Sequence, residues 1–449
     1  MKIQPARSLK GIVRLPGDKS ISHRAAILAS MATGETRIEN YATNADCSST
    51  LDCLRNLGVD IRQQGSTVFV KGVGKNGFTK PTKELDCGNS GTTMRLLAGV
   101  LVGQNFDSVL TGDESLSKRP MRRIIKPLTE MGAKIESEND HAPLKIYGGN
   151  PLQSVSYDLP VASAQVKSCI LLAGLKAGGK SAIRNPQSAF KTPTSRNHTE
   201  LMLRYLGAEI EEYFVETDGG FVQTISVSGA NSKLAAKDLN VPSDISSAAF
   251  FIVAASCLES SEIKLENVGL NPTRTAILDV LQSLGADIRR LNQREICNEP
   301  VGDLLVRGKR SEFAPSNLKL IDADVIANLI DEIPILAVFA TQLENGLTIR
   351  GAAELRVKES DRIKAIVENL RRMNATVEEF SDGFRVEKSA LKGATIDSFG
   401  DHRIAMAFAV AALLATGETQ IVGATAAGVS FPEFFQTLAR LEAKGKRQK

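Results

Sequence analysis

Met131-Gly132-Ala133-Lys134-Ile135 ends a helix and begins a strand, and the chain repeats that phrase five times in the same phase. The others are Leu57-Gly58-Val59-Asp60-Ile61, Leu206-Gly207-Ala208-Glu209-Ile210, Leu284-Gly285-Ala286-Asp287-Ile288 and Met373-Asn374-Ala375-Thr376-Val377. Gly or Asn suits the left-handed conformation that closes a helix. The β-branched residue just beyond starts a strand. Upstream lies a strand each time (Thr36–Glu39, Ser108–Leu110, Ser181–Arg184, Glu262–Leu265, Leu347–Arg350), with Thr419–Val422 as a sixth. Further upstream is an Ala/Leu-rich helix: Ala25–Met31, Thr93–Val102, Val166–Leu175, Ala248–Leu258, Ile335–Ala340 and Ile404–Ala415. Hairpin strands such as Thr67–Val70 and Leu144–Tyr147 complete most units. Each unit spans about 70 to 90 residues, longer than the roughly 20–50 of a solenoid repeat, so each can bury a sheet against helices.

The fold expected is therefore α/β with six repeats, three on each side of a crossing. Leu15-Pro16-Gly17-Asp18 and Leu239-Asn240-Val241-Pro242-Ser243 place Pro beside turn formers and read as crossings. They imply one domain from residues 1–18 and 240–449 and another from 19–239.

Composition excludes several classes. No apolar run reaches the roughly 20 residues of a membrane span, and MKIQPARSLKGIVRL lacks the apolar core of a secretory signal. Six scattered cysteines without a C-x-x-C pair fit a reducing cytoplasm and argue against zinc or disulfides. Net charge is only +4, with no Trp and 5% aromatics, which argues against a nucleic-acid groove. The basic tail Lys444–Lys449 reads as a solvated end.

The chemistry sits at the helix openings. Gly17-Asp18-Lys19-Ser20, with Arg24 one turn on, puts cations where backbone N–H groups and the macrodipole already favour an anion. Gly88-Asn89-Ser90-Gly91-Thr92 would let a ligand approach backbone at Gly91, although a capped turn reads the same. In Ser117-Lys118-Arg119-Pro120, with Pro suited to a first helical turn, Arg119 is the side chain to aim at a carboxylate or phosphate. Ser163-Ala164-Gln165 and Thr194-Ser195-Arg196-Asn197-His198 add amide and guanidinium groups that capping does not explain. Asp331-Glu332 opens an apolar helix with two carboxylates, one of them suited to be a general base. Arg356-Val357-Lys358-Glu359-Ser360-Asp361-Arg362 is the densest charged cluster, and i,i+4 spacing places Lys358 and Arg362 on one helix face. Gly400-Asp401-His402-Arg403 precedes the last apolar helix, with no second His to make a metal site. Together these cations suit a cleft for substrates with several negative charges.

The segments LPGDKSISHRAAILAS, GNSGTTMRLLAG, LTGDESLSKRPM, SAQVKSCILLAGL, RVKESDRI, GDHRIAMAFAVAAL and SFPEF, in that order over residues 10 to 440, resemble the 5-enolpyruvylshikimate-3-phosphate synthase family. The resemblance implies a two-domain inside-out α/β barrel (a prism) of βαβαββ units, three per domain. It also implies an N-terminal strand in the C-terminal half and an active site in the interdomain cleft. The implied reaction transfers the enolpyruvyl group of phosphoenolpyruvate to the 5-hydroxyl of 3-phosphoshikimate, in the shikimate pathway to chorismate and aromatic amino acids. No metal or organic cofactor, nucleic acid or membrane is expected, and a cytoplasmic monomer is.

Carried over by motif, Lys19, Ser20, Arg24, Ser163, Gln165, Arg196, Asp331 and Lys358 meet 3-phosphoshikimate. Lys19, Gly91, Arg119, Gln165, Arg362 and Arg403 meet phosphoenolpyruvate. Asp331 is the implied base, and Glu359 and Lys19 are the groups implied for the methylene proton. The chain departs from the family's usual pattern at Leu96, Ala164 and Val429, where Pro, Ser and Lys are common. SAQVKS, RVKESDR and SFPEF are similar to a subclass often tolerant of the inhibitor glyphosate, yet that subclass frequently has Ala where Gly91 stands. The sister transferase acting on UDP-N-acetylglucosamine usually carries Cys where this chain has Glu114. A repeat scaffold or RNA-binding protein would need an exposed basic-aromatic surface that the sequence lacks.

Overall fold

The computed structural model describes residues 1–186, 188, 195–229, 232–308, 313 and 318–447. Thr194 and the last residues of the basic tail lie outside the described residues. The chain divides into two compact units: Met1–Pro16 with Pro242–Glu295 and Pro300–Lys449, and Gly17–Val241 with Ile296–Glu299. The divisions at Pro16/Gly17 and Val241/Pro242 fall inside the Pro-marked crossings, while Ile296–Glu299 is a short excursion that no Pro-marked crossing foretold.

One strand pattern runs through six sheets. In the Gly17–Val241 unit, Leu85–Asp86 pairs parallel with Ser108–Thr111, which pairs antiparallel with His141–Tyr147, and Lys134–Glu138 takes the outer edge. Ser156–Asp158, Lys180–Arg184, Gly220–Ser228 and Ile210–Thr217 repeat that order. The other unit repeats it with Leu320–Ile321, Leu347–Ile349, Gly383–Val386 and Val377–Phe380. None of the six sheets closes on itself among the described residues.

The remaining sheets borrow a strand from far along the chain. Leu239–Asn240 pairs parallel with Thr33–Glu39, so the last strand of the Gly17–Val241 unit completes its first sheet. Lys10–Val13 does the same for Glu262–Gly269 in the other unit. Among the described residues the sixth repeat has no hairpin of its own. After Thr419–Val422 come a 3-10 turn, Ala424–Val429, and the helix Phe434–Arg447, and Lys2–Ile3 fills the vacant antiparallel edge.

The repeated helix endings take the backbone their residues suit: Gly58, Gly132, Gly207 and Gly285 have φ of 86, 94, 98 and 96°, and Asn374 has 67°. The Ala/Leu-rich helices form the core of their units. Every residue of Ile245–Cys257 and of Ile333–Ala340 is buried, as a helix apolar all round requires. A Cβ on Gly99 would stand 2.3 Å from the Cys169 carbonyl oxygen, so this glycine lets Gly91–Leu101 approach Ala164–Gly174 closely. No described helix is long and apolar enough to cross a membrane.

Candidate active site

The apolar helices begin at the polar openings themselves. Asp18, Ser90, Ser163, Asp244 and Asp401 each cap one, accepting from a backbone N–H two or three residues on. Capping thus accounts for Ser90 and Ser163, whereas Ser20 leaves the cap to Asp18. Neither Asp331 nor Glu332 caps, because Glu332 holds the N-cap place of Ile333–Ala340 without a side-chain cap bond.

In the Gly17–Val241 unit, Lys19 and Ser20 stand at the mouth of helix Lys19–Met31, with Lys19 Nζ 3.0 Å from Asp46 Oδ2. Ser20 Oγ accepts from Arg196 at 3.4 Å, and its carbonyl accepts from Arg24 at 2.9 Å. Arg24 is buried within the helix and also donates to Thr199 Oγ1 at 2.7 Å and Ser168 Oγ at 2.9 Å. Ser20, Arg24 and Arg196 are thus brought together. Between them on the helix, His23 Nδ1 lies 2.7 Å from Thr50 Oγ1, which meets Thr93 Oγ1, which meets Ser90 Oγ. Burial pushes the His23 pKa down to about 3; Asp46 opposes that shift, and Lys19 and Arg24 reinforce it. This uncharged chain ties the first opening to the second.

Gly91, Arg119 and Gln165 form a second group. Arg119 donates to Asn89 Oδ1 at 2.8 Å and Ser115 Oγ at 3.1 Å; it lies just before Pro120, and the next helix starts only at Arg122. A Cβ on Gly91 would sit 2.8 Å from Arg95 NH1 and 3.6 Å from Arg119 NH1. Arg95 is a residue to which sequence reasoning assigned no role. One helical turn beyond Gly91, it donates to Gln165 Oε1 at 2.7 Å and to the Pro120 carbonyl at 3.4 Å, while Gln165 Nε2 donates to Thr92 Oγ1 at 2.9 Å. The i,i+4 spacing of Gly91 and Arg95 was the available signal.

In the other unit, Arg362 is the centre. It is 1% exposed and donates through Nε to Asp401 Oδ2 at 2.8 Å and through NH2 to Glu359 Oε2 at 2.6 Å, with Asp331 Oδ1 3.6 Å from NH1. Burial works against its charge, but Asp401, Glu359 and Asp331 more than offset that and raise its pKa. Burial likewise pushes Asp401 up, yet Arg362 and then His402 hold it below the usual carboxylate range. Arg403 donates to the Asp331 carbonyl at 2.9 Å, and its NH2 lies 3.6 Å from Asp331 Oδ2. Asp331, Glu359, Arg362 and Arg403 are therefore one cluster.

Lys358 is a correction. It does not share a helix face with Arg362, because Ala353–Val357 is a 3-10 turn, Lys358 is extended, and the helix starts at Arg362 behind its cap Asp361. Lys358 pairs instead with Glu354 at 3.6 Å. Just before the sixth opening, Phe399 has φ of 52°, strained for a residue of its size. Bonds from Phe399 N to Asp397 Oδ1 (2.8 Å) and from Gly400 N to Ser398 Oγ (3.2 Å) hold that turn. Among the described residues no group of His, Cys, Asp and Glu is arranged to hold a metal ion.

Residues 3–438 match the family model described as EPSP synthase (3-phosphoshikimate 1-carboxyvinyltransferase). A 3-phosphoshikimate 1-carboxyvinyltransferase of Solibacter usitatus is 48% identical over 442 residues, covering 98% of this chain and 99% of the relative. One of Geobacillus kaustophilus is 49% identical over 441 residues, covering 97% and 98%. Among solved structures, an EPSP synthase from Acinetobacter baumannii superposes with a TM-score of 0.84 at 41% identity, covering 98% of this chain and 97% of that one. The enolpyruvyl transferase NikO from Streptomyces tendae shares the fold, with a TM-score of 0.75 at 18% identity over 98% of this chain and 96% of that one.

Proposed function

The chain belongs to the EPSP synthase (3-phosphoshikimate 1-carboxyvinyltransferase) family, and from that premise we propose that it joins phosphoenolpyruvate to 3-phosphoshikimate. The products are 5-enolpyruvylshikimate 3-phosphate and phosphate. Asp331 takes the proton of the 5-hydroxyl while the phosphoenolpyruvate methylene gains one from Glu359 or Lys19. The alkoxide oxygen bonds to C2 of phosphoenolpyruvate and gives a tetrahedral ketal. Loss of a methyl proton and of phosphate then restores the enol ether. One base and one acid suffice, without a covalent nucleophile.

The observation that carries this reading is Asp331, a carboxylate at a helix opening with Arg362 and Arg403 each 3.6 Å away. A base so placed stands beside the cations that would clamp the second substrate. In this reading Gly91, Arg119, Gln165, Arg362, Arg403 and Lys19 hold phosphoenolpyruvate. Lys19, Ser20, Arg24, Ser163, Gln165, Arg196, Asp331 and Lys358 hold 3-phosphoshikimate. Aligning two phosphorylated anions can supply roughly 7–11 kcal/mol of the barrier. We read the enzyme as a cytoplasmic monomer that needs no cofactor.

Phosphate release from phosphoenolpyruvate tests the proposal. It should require 3-phosphoshikimate and stay at background with UDP-N-acetylglucosamine as acceptor. Release with the nucleotide sugar, or none with 3-phosphoshikimate, would reject it.

A further inference from the structure

The fourth helix opening, Pro242-Ser243-Asp244, takes no ligand in the reading above, and Glu332 stands next to Asp331 without a substrate role. The structure joins the two. Asp244 Oδ1 accepts from Ser246 N at 2.8 Å, capping helix Ile245–Cys257. Ser246 Oγ accepts from Arg274 NH2 at 2.7 Å and donates to Glu332 Oε1. Arg274 NH2 also stands 3.6 Å from Asp244 Oδ1. All four are buried, Glu332 at 1% exposure and Arg274 and Ser246 at 3%.

Buried ions cost several kcal/mol each unless they are paired, and well-packed apolar residues often serve a core equally well. A charged network in this place therefore calls for a use beyond cohesion. Its position supplies one. The Asp331 carbonyl is held by Arg403 at 2.9 Å, while the side chain of the next residue, Glu332, is held by Ser246. The peptide that presents the Asp331 carboxylate is pinned on both sides. Releasing either hold lets Asp331 turn relative to Arg362 and Arg403.

We infer that Arg274, Ser246 and Glu332 are positioning residues that aim the Asp331 carboxylate through the Asp331–Glu332 peptide, an inference that rests on Asp331 as the base. The fourth opening then acts on the fifth instead of on a ligand. A misplacement of about 1 Å costs on the order of 100-fold in rate, so the effect should fall on turnover.

Ser246→Ala removes the hydroxyl that links Arg274 to Glu332 and changes no charge. The folded variant should lose about 10- to 100-fold in kcat. KM for each substrate and equilibrium binding of 3-phosphoshikimate should stay within about twofold of wild type. Ser246→Thr, which restores a hydroxyl, should recover most of the turnover. A Ser246→Ala kcat within about twofold of wild type, or a loss that Ser246→Thr does not rescue, overturns the inference. If Ser246→Ala fails to fold, Glu332→Gln and Glu332→Ala replace it. Gln keeps the acceptor oxygen and should retain far more turnover than Ala, and equal turnover overturns the inference. Wild type assayed alongside separates the two claims: no wild-type turnover rejects the proposed reaction, and normal turnover with an unaffected Ser246→Ala rejects only the positioning role.

Discussion

Replacing His23 with Gln should change how the protein's stability depends on pH, by an amount that follows from the lowered pKa of the buried ring. In the folded chain His23 is wholly enclosed, its pKa is about 3 against an ordinary 6.5, and its Nδ1 faces Thr50. Between those two values the unfolded chain binds a proton that the folded chain refuses, so stability is lost as pH falls through 6.5 towards 3. The whole gap is worth about 5 kcal/mol, of which about 2.5 kcal/mol is lost between pH 7 and pH 4.5. The Gln variant cannot titrate there. Urea unfolding of both proteins at the two pH values gives the comparison. Circular dichroism is the suitable probe, since the chain has no tryptophan. Wild type should lose about 2.5 kcal/mol more than the variant on going to the lower pH. Parallel losses in the two proteins would refute the reasoning and mean that His23 is protonated or hydrated within the fold.

Two further perturbations probe the site and its support. Gly91→Ala places a methyl 2.8 Å from Arg95 NH1 and should force that guanidinium off Gln165. Losing one charge-assisted bond of about 1.5–3 kcal/mol at Gln165, which meets both substrates in this reading, should raise KM for phosphoenolpyruvate roughly 10- to 100-fold and raise KM for 3-phosphoshikimate with it. Adding Arg95→Gln to Gly91→Ala should then cost little more, and full additivity in the double-mutant cycle would contradict the displacement. Lys167→Met leaves Glu200, at zero exposure and 2.7 Å from Lys167 Nζ, without its counter-ion and should cost about 3–5 kcal/mol. Lys167→Met with Glu200→Leu should recover most of that in a urea titration, and a double variant no more stable than the single would exclude a buried ion pair.

Much of the fold was legible because it rests on local signals repeated in phase. Gly58, Gly132, Gly207, Gly285 and Asn374 all close helices in the left-handed conformation, and the apolar helices are buried on every side. The strands Lys2–Ile3, Lys10–Val13 and Leu239–Asn240 were not legible from the residues. They are short, and each pairs with a strand distant in sequence. The site divides the same way. Asp331, Arg362 and Arg403 announced themselves at helix openings, and the structure gathers them. Arg95 and Lys167 lie inside apolar helices, where only tertiary partners distinguish a functional charge from a buried anomaly. Lys358 misled because i,i+4 reasoning assumes a continuous helix, and the 3-10 turn ending at Val357 breaks it. The fourth opening, Pro242-Ser243-Asp244, offered no ligand role in the sequence, and its link to Glu332 passes through Ser246 and Arg274, which no spacing rule connects.

The central claim is that Asp331 acts as the base of an enolpyruvyl transfer, and Asp331→Ala tests it most directly. Arg362 keeps Asp401 and Glu359 in that variant, so its buried charge stays compensated. We predict that the folded variant still binds 3-phosphoshikimate in equilibrium titration but forms the enolpyruvyl product at least about 100-fold more slowly, since general acid–base catalysis contributes about 10²–10⁴-fold. Product formation near the wild-type rate would contradict the account.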